Sequence, residues 1–179
     1  MIDPRTTAIA LLVVLLSPQG VQADECGDPE TDVAGVWRLV EASTTQPDGH
    51  VEHPYGQPPS GLFVYTPGGH LSLHLHGNPP PSFDAPPDDA AIAGLARQYI
   101  GYFGRWSISD DGESVVHHIE GALNPNRIGR DAERPYRLCG DVLELRIGTP
   151  SGREYYRRLE RLERFAEKPA SKHADGALQ

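Results

Sequence analysis

Gly35-Val36-Trp37-Arg38-Leu39-Val40 is the stretch on which the reading of this chain turns. A glycine two residues ahead of a tryptophan, opening an apolar strand, is how many small ligand-holding β-barrels begin. The indole is expected to fill the closed end of such a barrel. An arginine from the last strand, Arg157 being the candidate, is expected to stack on it as a cation on an aromatic face.

Outward from that stretch the chain is a succession of short runs separated by turn residues, the pattern of an all-β fold. Gln46-Pro47-Asp48-Gly49 ends the first run, and the proline-rich passage His53 to Pro59 cannot be a central strand. Leu62–Thr66 and His70–His76 follow, joined by Pro67-Gly68-Gly69. There the proline presets one turn dihedral and a glycine supplies positive φ at the next, which makes a hairpin. Arg105–Ser109, Ser114–Leu123, Glu133–Cys139, Val142–Ile147 and Arg153–Arg161 bring the count to eight strands. Eight antiparallel strands close a barrel just wide enough for one small ligand.

One helix interrupts them. Asp88 or Asp89 can cap it, and Ile92, Leu95, Ala96, Tyr99, Ile100 and Phe103 recur at three- and four-residue spacing. The spacing predicts a helix from Asp88 to Phe103, stopped by Gly104 and packed on or across the barrel. The expectation is therefore an all-β fold, an eight-stranded antiparallel barrel with one α-helix. It would occupy residues 35–164, after a lead-in over 24–34 and before a tail over 165–179 that reads as disordered.

Upstream, Arg5 precedes an apolar run from Ala8 to Leu16 that is too short for a permanent membrane span and suits a secretory signal. Val21-Gln22-Ala23 supplies the small residues for cleavage, so residues 1–23 are expected to be removed and the protein to be exported, periplasmic or extracellular. Glu25 stands where lipid attachment to Cys26 would need a small residue, which favours a soluble exported form. What remains suits one core. In an oxidising compartment Cys26 and Cys139 are expected to form a disulfide, contributing about 3–5 kcal/mol, with two unpaired thiols as the alternative.

The charge balance is acidic: 16 Lys and Arg against 25 Asp and Glu give a net −9. The densest run of bases, 7 of the 16, lies between Arg153 and Lys172, interleaved with acids, so no basic face for nucleic acid emerges. No second apolar segment suggests a membrane span.

Five motifs now stand in order: Gly35-x-Trp37-Arg38-Leu39-Val40, His53-Pro54-Tyr55-Gly56, Gly61-Leu62 with Tyr65-Thr66-Pro67, Tyr102-Phe103-Gly104-Arg105, and Val116-His117-His118-x-Glu120-Gly121 running on to Pro125-Asn126. In that order they resemble the bacterial and fungal lipocalin-like domain family, from Gly35 to about Leu162. The resemblance implies a barrel whose lumen holds a small apolar molecule, and it implies no particular chemistry. Asn124 and Arg127 depart from it, standing where large apolar or aromatic residues are expected.

Several side chains could work in such a lumen. Phe63, Tyr65, Tyr99, Tyr102 and Trp106 are the aromatic candidates for its lining, with Arg105 and His118 as polar contacts. His118 and Glu120 share one strand face and form the best acid–base pair, which Tyr102 or Arg105 could assist by polarising a carbonyl. Their plain alternative is to satisfy backbone groups near Gly121. His70, His74 and His76 also share a face, opposite Leu71, Leu73 and Leu75. An i, i+2 imidazole pair such as His74 with His76 can chelate zinc or copper, though a solvated polar face explains the pattern equally.

The function expected is a secreted protein binding a small hydrophobic or amphipathic molecule, with no cofactor and no set oligomeric state. The alternative is a cyclase or isomerase confining an apolar substrate, with His118, Glu120 and Tyr102 as catalytic groups. A third reading, an envelope interaction module using the proline-rich loops, predicts no cavity. No serine-nucleophile elbow or phosphate-cradling glycine loop appears.

Overall fold

A computed structural model describes residues 32–165. The expected export signal, Cys26 and all but the first residue of the expected tail lie outside the described residues. The strands are β1 (Gly35–Thr45), β2 (Val51–Glu52), β3 (Ser60–Tyr65), β4 (His70–His76), β5 (Tyr99–Ile108), β6 (Ser114–Ala122), β7 (Asp131–Cys139), β8 (Val142–Gly148) and β9 (Glu154–Glu163). A helix, α1 (Asp89–Arg97), lies between β4 and β5.

From β3 onward each strand pairs antiparallel with the next, and β3 pairs with β1. β1 also pairs with β9, from Val36↔Glu163 to Thr45↔Glu154, and this closes the ring. β2 is a two-residue return onto the end of β1 through Thr44↔Glu52. The closed barrel is thus β1 with β3 to β9, the eight strands expected.

Alternation decides what faces in. On β4 Leu71, Leu73 and Leu75 are buried while His70 and His74 are exposed. On β6 Val115, His117 and Ile119 point inward, and on β9 Arg157 and Leu159 do. Trp37, Leu39, Leu138, Leu143, Leu145 and Leu159 form the tightest part of the core.

Trp37 closes one end, as its position predicts. It is fully buried beside Val33, and its Nε1–H donates to the Val33 carbonyl at 3.0 Å. The arginine over it is Arg161, with its guanidinium carbon 4.1 Å from the ring centroid, not Arg157. Register explains the correction. Arg161 stands opposite Trp37 on β9, whereas Arg157 stands opposite Ala42, nearer the other end of the barrel. Arg161 also donates to the carbonyls of Ala34 at 2.8 Å and Asp32 at 3.3 Å, fastening the incoming chain to the plug.

The helix is shorter than its apolar spacing suggests. Asp88 caps it, accepting from the Ala91 N–H at 2.8 Å, but it ends at Arg97 because the next residues pair with all of β4, from His76↔Tyr99 to His70↔Arg105. Tyr99, Ile100 and Phe103 therefore belong to a strand, and the cross-strand hydrogen bonds outweigh a helical period. None of α1 is buried. Gly104 is correspondingly no helix stop. It sits in β5 at a bulge against β6, so close to the His118 carbonyl that a Cβ would collide with that backbone oxygen.

This contact gives a test. Gly104→Ala should destabilise the barrel by about 1–3 kcal/mol in urea unfolding, since the obstacle is backbone and cannot swing away. Gly148→Ala, where a Cβ meets nothing within 4 Å, should stay within about 0.5 kcal/mol of the parent. Equal effects at the two positions would show that the bulge is not tightly packed.

Candidate ligand-binding site

The end of the barrel away from Trp37 holds a cavity of about 250 Å³. Its apolar lining comes from inward residues of two parts of the ring: Phe63 on β3, Leu73 and Leu75 on β4 and Ile100 on β5, and across the barrel Leu145 and Ile147 on β8. The rest of the lining is polar, made by Tyr55, Tyr102, His117, Arg127, Arg134, Tyr155 and Arg157. None of these is acidic.

Each arginine comes from a different element. Arg157 is inward on β9 and buried, donating through Nη1 to the carbonyls of Ser43 at 3.0 Å and Tyr156 at 2.7 Å. Its guanidinium lies 5.4 Å from the Tyr55 ring and 5.9 Å from the Tyr155 ring. Burial pulls its pKa down, yet a guanidinium stays charged at ordinary pH. Arg134 is on the inward parity of β7, beside Ala132 and Tyr136, and reaches the Tyr102 hydroxyl. Arg127 ends a single turn of 3-10 helix, Pro125–Arg127, which Asn124 caps by accepting from the Asn126 N–H at 3.1 Å, and it lies 6.0 Å from the Tyr102 ring.

His117 links this lining to the core. The ring is fully buried, with the Tyr65 hydroxyl 2.9 Å from Nε2 and the Tyr102 hydroxyl 2.7 Å from Nδ1. Burial first, then the charges of Arg134 and His118, push its pKa down to about 3. The imidazole is therefore neutral, with one N–H and one acceptor. Burial also raises the pKa of both tyrosines, which stay protonated phenols.

Accounting for hydrogens then orients the chain. The Tyr65 hydroxyl, sealed in the core, has His117 Nε2 as its acceptor. Nδ1 consequently carries the imidazole proton and donates to the Tyr102 oxygen. That leaves the Tyr102 O–H as a donor at the cavity it lines.

The site residues expected from sequence divide between the two sides of the wall. Phe63 and Tyr102 line the cavity, and Tyr65 reaches it only through His117. Trp106 packs edge-on against Tyr65 at 5.6 Å and donates to the Thr66 carbonyl at 3.0 Å. Tyr99 is on the outer face with its hydroxyl 2.7 Å from His74 Nδ1, and Arg105 reaches out to His70 and the Gly68 carbonyl.

His118 and Glu120 also face outward. The inward positions of β6 are Val115, His117 and Ile119, so the acid–base pair expected in the lumen is on the wrong parity. The Val-x-His-x-Ile alternation and the charge of Glu120 were the signals for this. His118 instead sits between Ser107 Oγ at 3.0 Å and Asp131 Oδ1 at 2.7 Å, on the solvated surface of three adjacent strands. An oxyanion formed there would meet bulk water. His76, the other imidazole weighed as a metal ligand, has Nδ1 2.8 Å from the Gly77 carbonyl and its ring stacked on Tyr99. Among the described residues no three His, Cys, Asp or Glu side chains gather to hold an ion. Cys139 ends β7, and its expected partner Cys26 lies outside the described residues.

His117 makes stability depend on pH. Its folded-state pKa lies below the ordinary imidazole value of 6.5, so the unfolded chain binds the extra proton first. Its contribution is fully present above pH 6.5 and is lost as pH falls toward 3, at up to about 1.4 kcal/mol per pH unit. Urea unfolding between pH 7 and 4.5 should show this slope in the parent and a shallower one in His117→Gln; parallel slopes would contradict a neutral buried imidazole.

The chain is similar to several known proteins. A family model for the lipocalin-like domain matches residues 34–156. The 4'-hydroxy-3'-methoxypropiophenone carrier protein of Aspergillus oryzae is 35% identical over 63 residues, covering 32% of this chain and 57% of that protein. The chain thus spans little more than half the length of the curated relative it matches. A redesigned β-barrel aligns over 72% of this chain and 90% of its own at 14% identity, with a TM-score of 0.37. Its closed eight-stranded barrel and the match over residues 34–156 place the chain in the lipocalin-like domain family.

Proposed function

We propose that this protein binds and carries one small amphipathic molecule in the barrel cavity. The observation that carries this reading is the mixed lining: apolar side chains from Phe63, Leu73, Leu75, Ile100, Leu145 and Ile147 share one cavity with phenol, imidazole and guanidinium groups. Binding sites for small molecules are mostly apolar with a few converging polar groups that set orientation. At about 250 Å³ the cavity is slightly below the roughly 300–1,000 Å³ of drug-sized sites, which suits a compact guest.

The Aspergillus relative is named as a carrier of a small aromatic ketone, and carriage of a small molecule is the part of that name this cavity supports. Acid–base chemistry through His118 and Glu120 has no access to a guest inside the barrel, since both side chains face away from it. Binding is accordingly the better reading. Export belongs to the same proposal and rests on the apolar run before Ala23.

Two measurements test these points. The neutral fluorescent probe N-phenyl-1-naphthylamine should bind saturably at one site per chain, and Ile100→Trp, which fills the lined space, should weaken it at least tenfold while the melting temperature stays near that of the parent. No saturable binding, or undiminished binding to the folded variant, would place the guest elsewhere or nowhere. N-terminal mass analysis of protein from the producing cells should find the chain beginning at Asp24; an intact Met1 on the secreted material would refute cleavage.

A further inference from the structure

We propose, resting on the reading of the cavity as a carrier site, that the guest is a carboxylic acid bound as its anion, its carboxylate held by Arg127, Arg134 and Arg157 with the Tyr102 hydroxyl as a further donor. The chain carries 25 acidic residues against 16 basic ones, yet three arginines and no acid line this cavity. Several arginines elsewhere find carboxylates within the protein: Arg38 with Glu160 at 2.9 Å, Arg146 with Glu154 at 3.3 Å, Arg164 with Asp141 at 2.8 Å. Inside the barrel the guanidinium groups are met by carbonyls and aromatic faces instead. Those contacts hold them in position without neutralising them.

Arg157 is a buried cation with no counter-charge, which is unfavourable, and an anionic guest set among it and the half-buried Arg127 and Arg134 relieves that penalty where apolar contact holds its body. A carboxylate suits the donors. A guanidinium presents five N–H groups in a planar fork that matches two carboxylate oxygens. Both hydrogen bonds of Arg157 to the protein use Nη1, so its Nε and Nη2 donors remain for a guest. The orientation of the Tyr65–His117–Tyr102 chain adds a neutral donor in the same lining, one that selects for an acceptor. A cationic guest would face three like charges, and a neutral ester would pack on the apolar lining while leaving the guanidinium groups uncompensated.

The experiment compares 2-naphthoic acid with methyl 2-naphthoate at pH 7, each displacing N-phenyl-1-naphthylamine from the whole exported protein. The expected result is displacement by the acid at a concentration at least tenfold lower than by the ester. Arg134→Gln and Arg127→Gln should each reduce that preference about tenfold, equivalent to about 1.4 kcal/mol. Equal displacement by acid and ester, or a preference untouched in both variants, overturns the carboxylate. Failure of the neutral probe to bind the parent protein would instead remove the carrier site itself. Where a glutamine variant does not fold, the parent's acid-to-ester ratio still decides, and Arg134→Lys, which keeps the charge but loses the planar fork, should retain part of the preference.

Discussion

Everything in this molecule follows from β1 closing onto β9 with Trp37 pinned beneath Arg161. A sheet of eight strands has two edges until they meet, and an open edge is a row of unpaired backbone groups. Here the meeting is fixed at one end by an indole whose N–H is held by Val33 and whose face is covered by a guanidinium only 2% exposed in its side chain. Once that end is set, the register of β9 determines everything above it. Leu159 falls on the core, and Arg157, two inward positions along, falls on the cavity. The same residue type on the same face of one strand thus serves two ends. One arginine is consumed by the plug, while the other keeps donors in hand.

Closure also explains why the interior can be positive in an acidic protein. A barrel separates its two surfaces by a single layer of backbone, and side-chain parity assigns each residue to one of them. On β9 Arg158 and Glu160 go outward while Arg157 goes inward; on β7 Glu133 goes outward while Arg134 goes inward. Acids and bases that alternate along a strand are sorted onto opposite sides of the wall. The net charge of −9 then describes the outside and conceals the cavity.

This sorting also marks where sequence reasoning succeeds and where it stops. The Leu71, Leu73 and Leu75 face, the hairpin at Pro67 to Gly69 and the plug at Trp37 are local patterns, legible because period two or a turn dihedral settles them within a few residues. Tyr99, Ile100 and Phe103 satisfy a helical spacing, and only β4 lying alongside makes them a strand. The register shift between Val36 and Trp37 sets Arg161 opposite Trp37, the one between Leu39 and Glu41 sets Arg157 opposite Ala42, and nothing in either strand alone announces them. On β6 His118 and Glu120 do share a face, as their spacing requires, but it is the outer one. Arg127, Arg134 and Arg157 were invisible as a set, since they converge only after a short helix turn and two strands are placed round one lumen.

The direction of the hydrogen-bond chain is the last consequence of that placement. Tyr65, His117 and Tyr102 would be symmetric on paper: two phenols, one neutral imidazole and two contacts of similar length. Depth breaks the symmetry. Tyr65 is packed between Trp106 and the imidazole, where its proton has one place to go, whereas Tyr102 borders the cavity with Arg134 beside it. The deepest hydroxyl therefore sets the tautomer, and the tautomer sets which way the outermost hydroxyl donates. A core tyrosine that touches no guest in this way helps define what the cavity can recognise, by fixing the polarity of a residue one imidazole away.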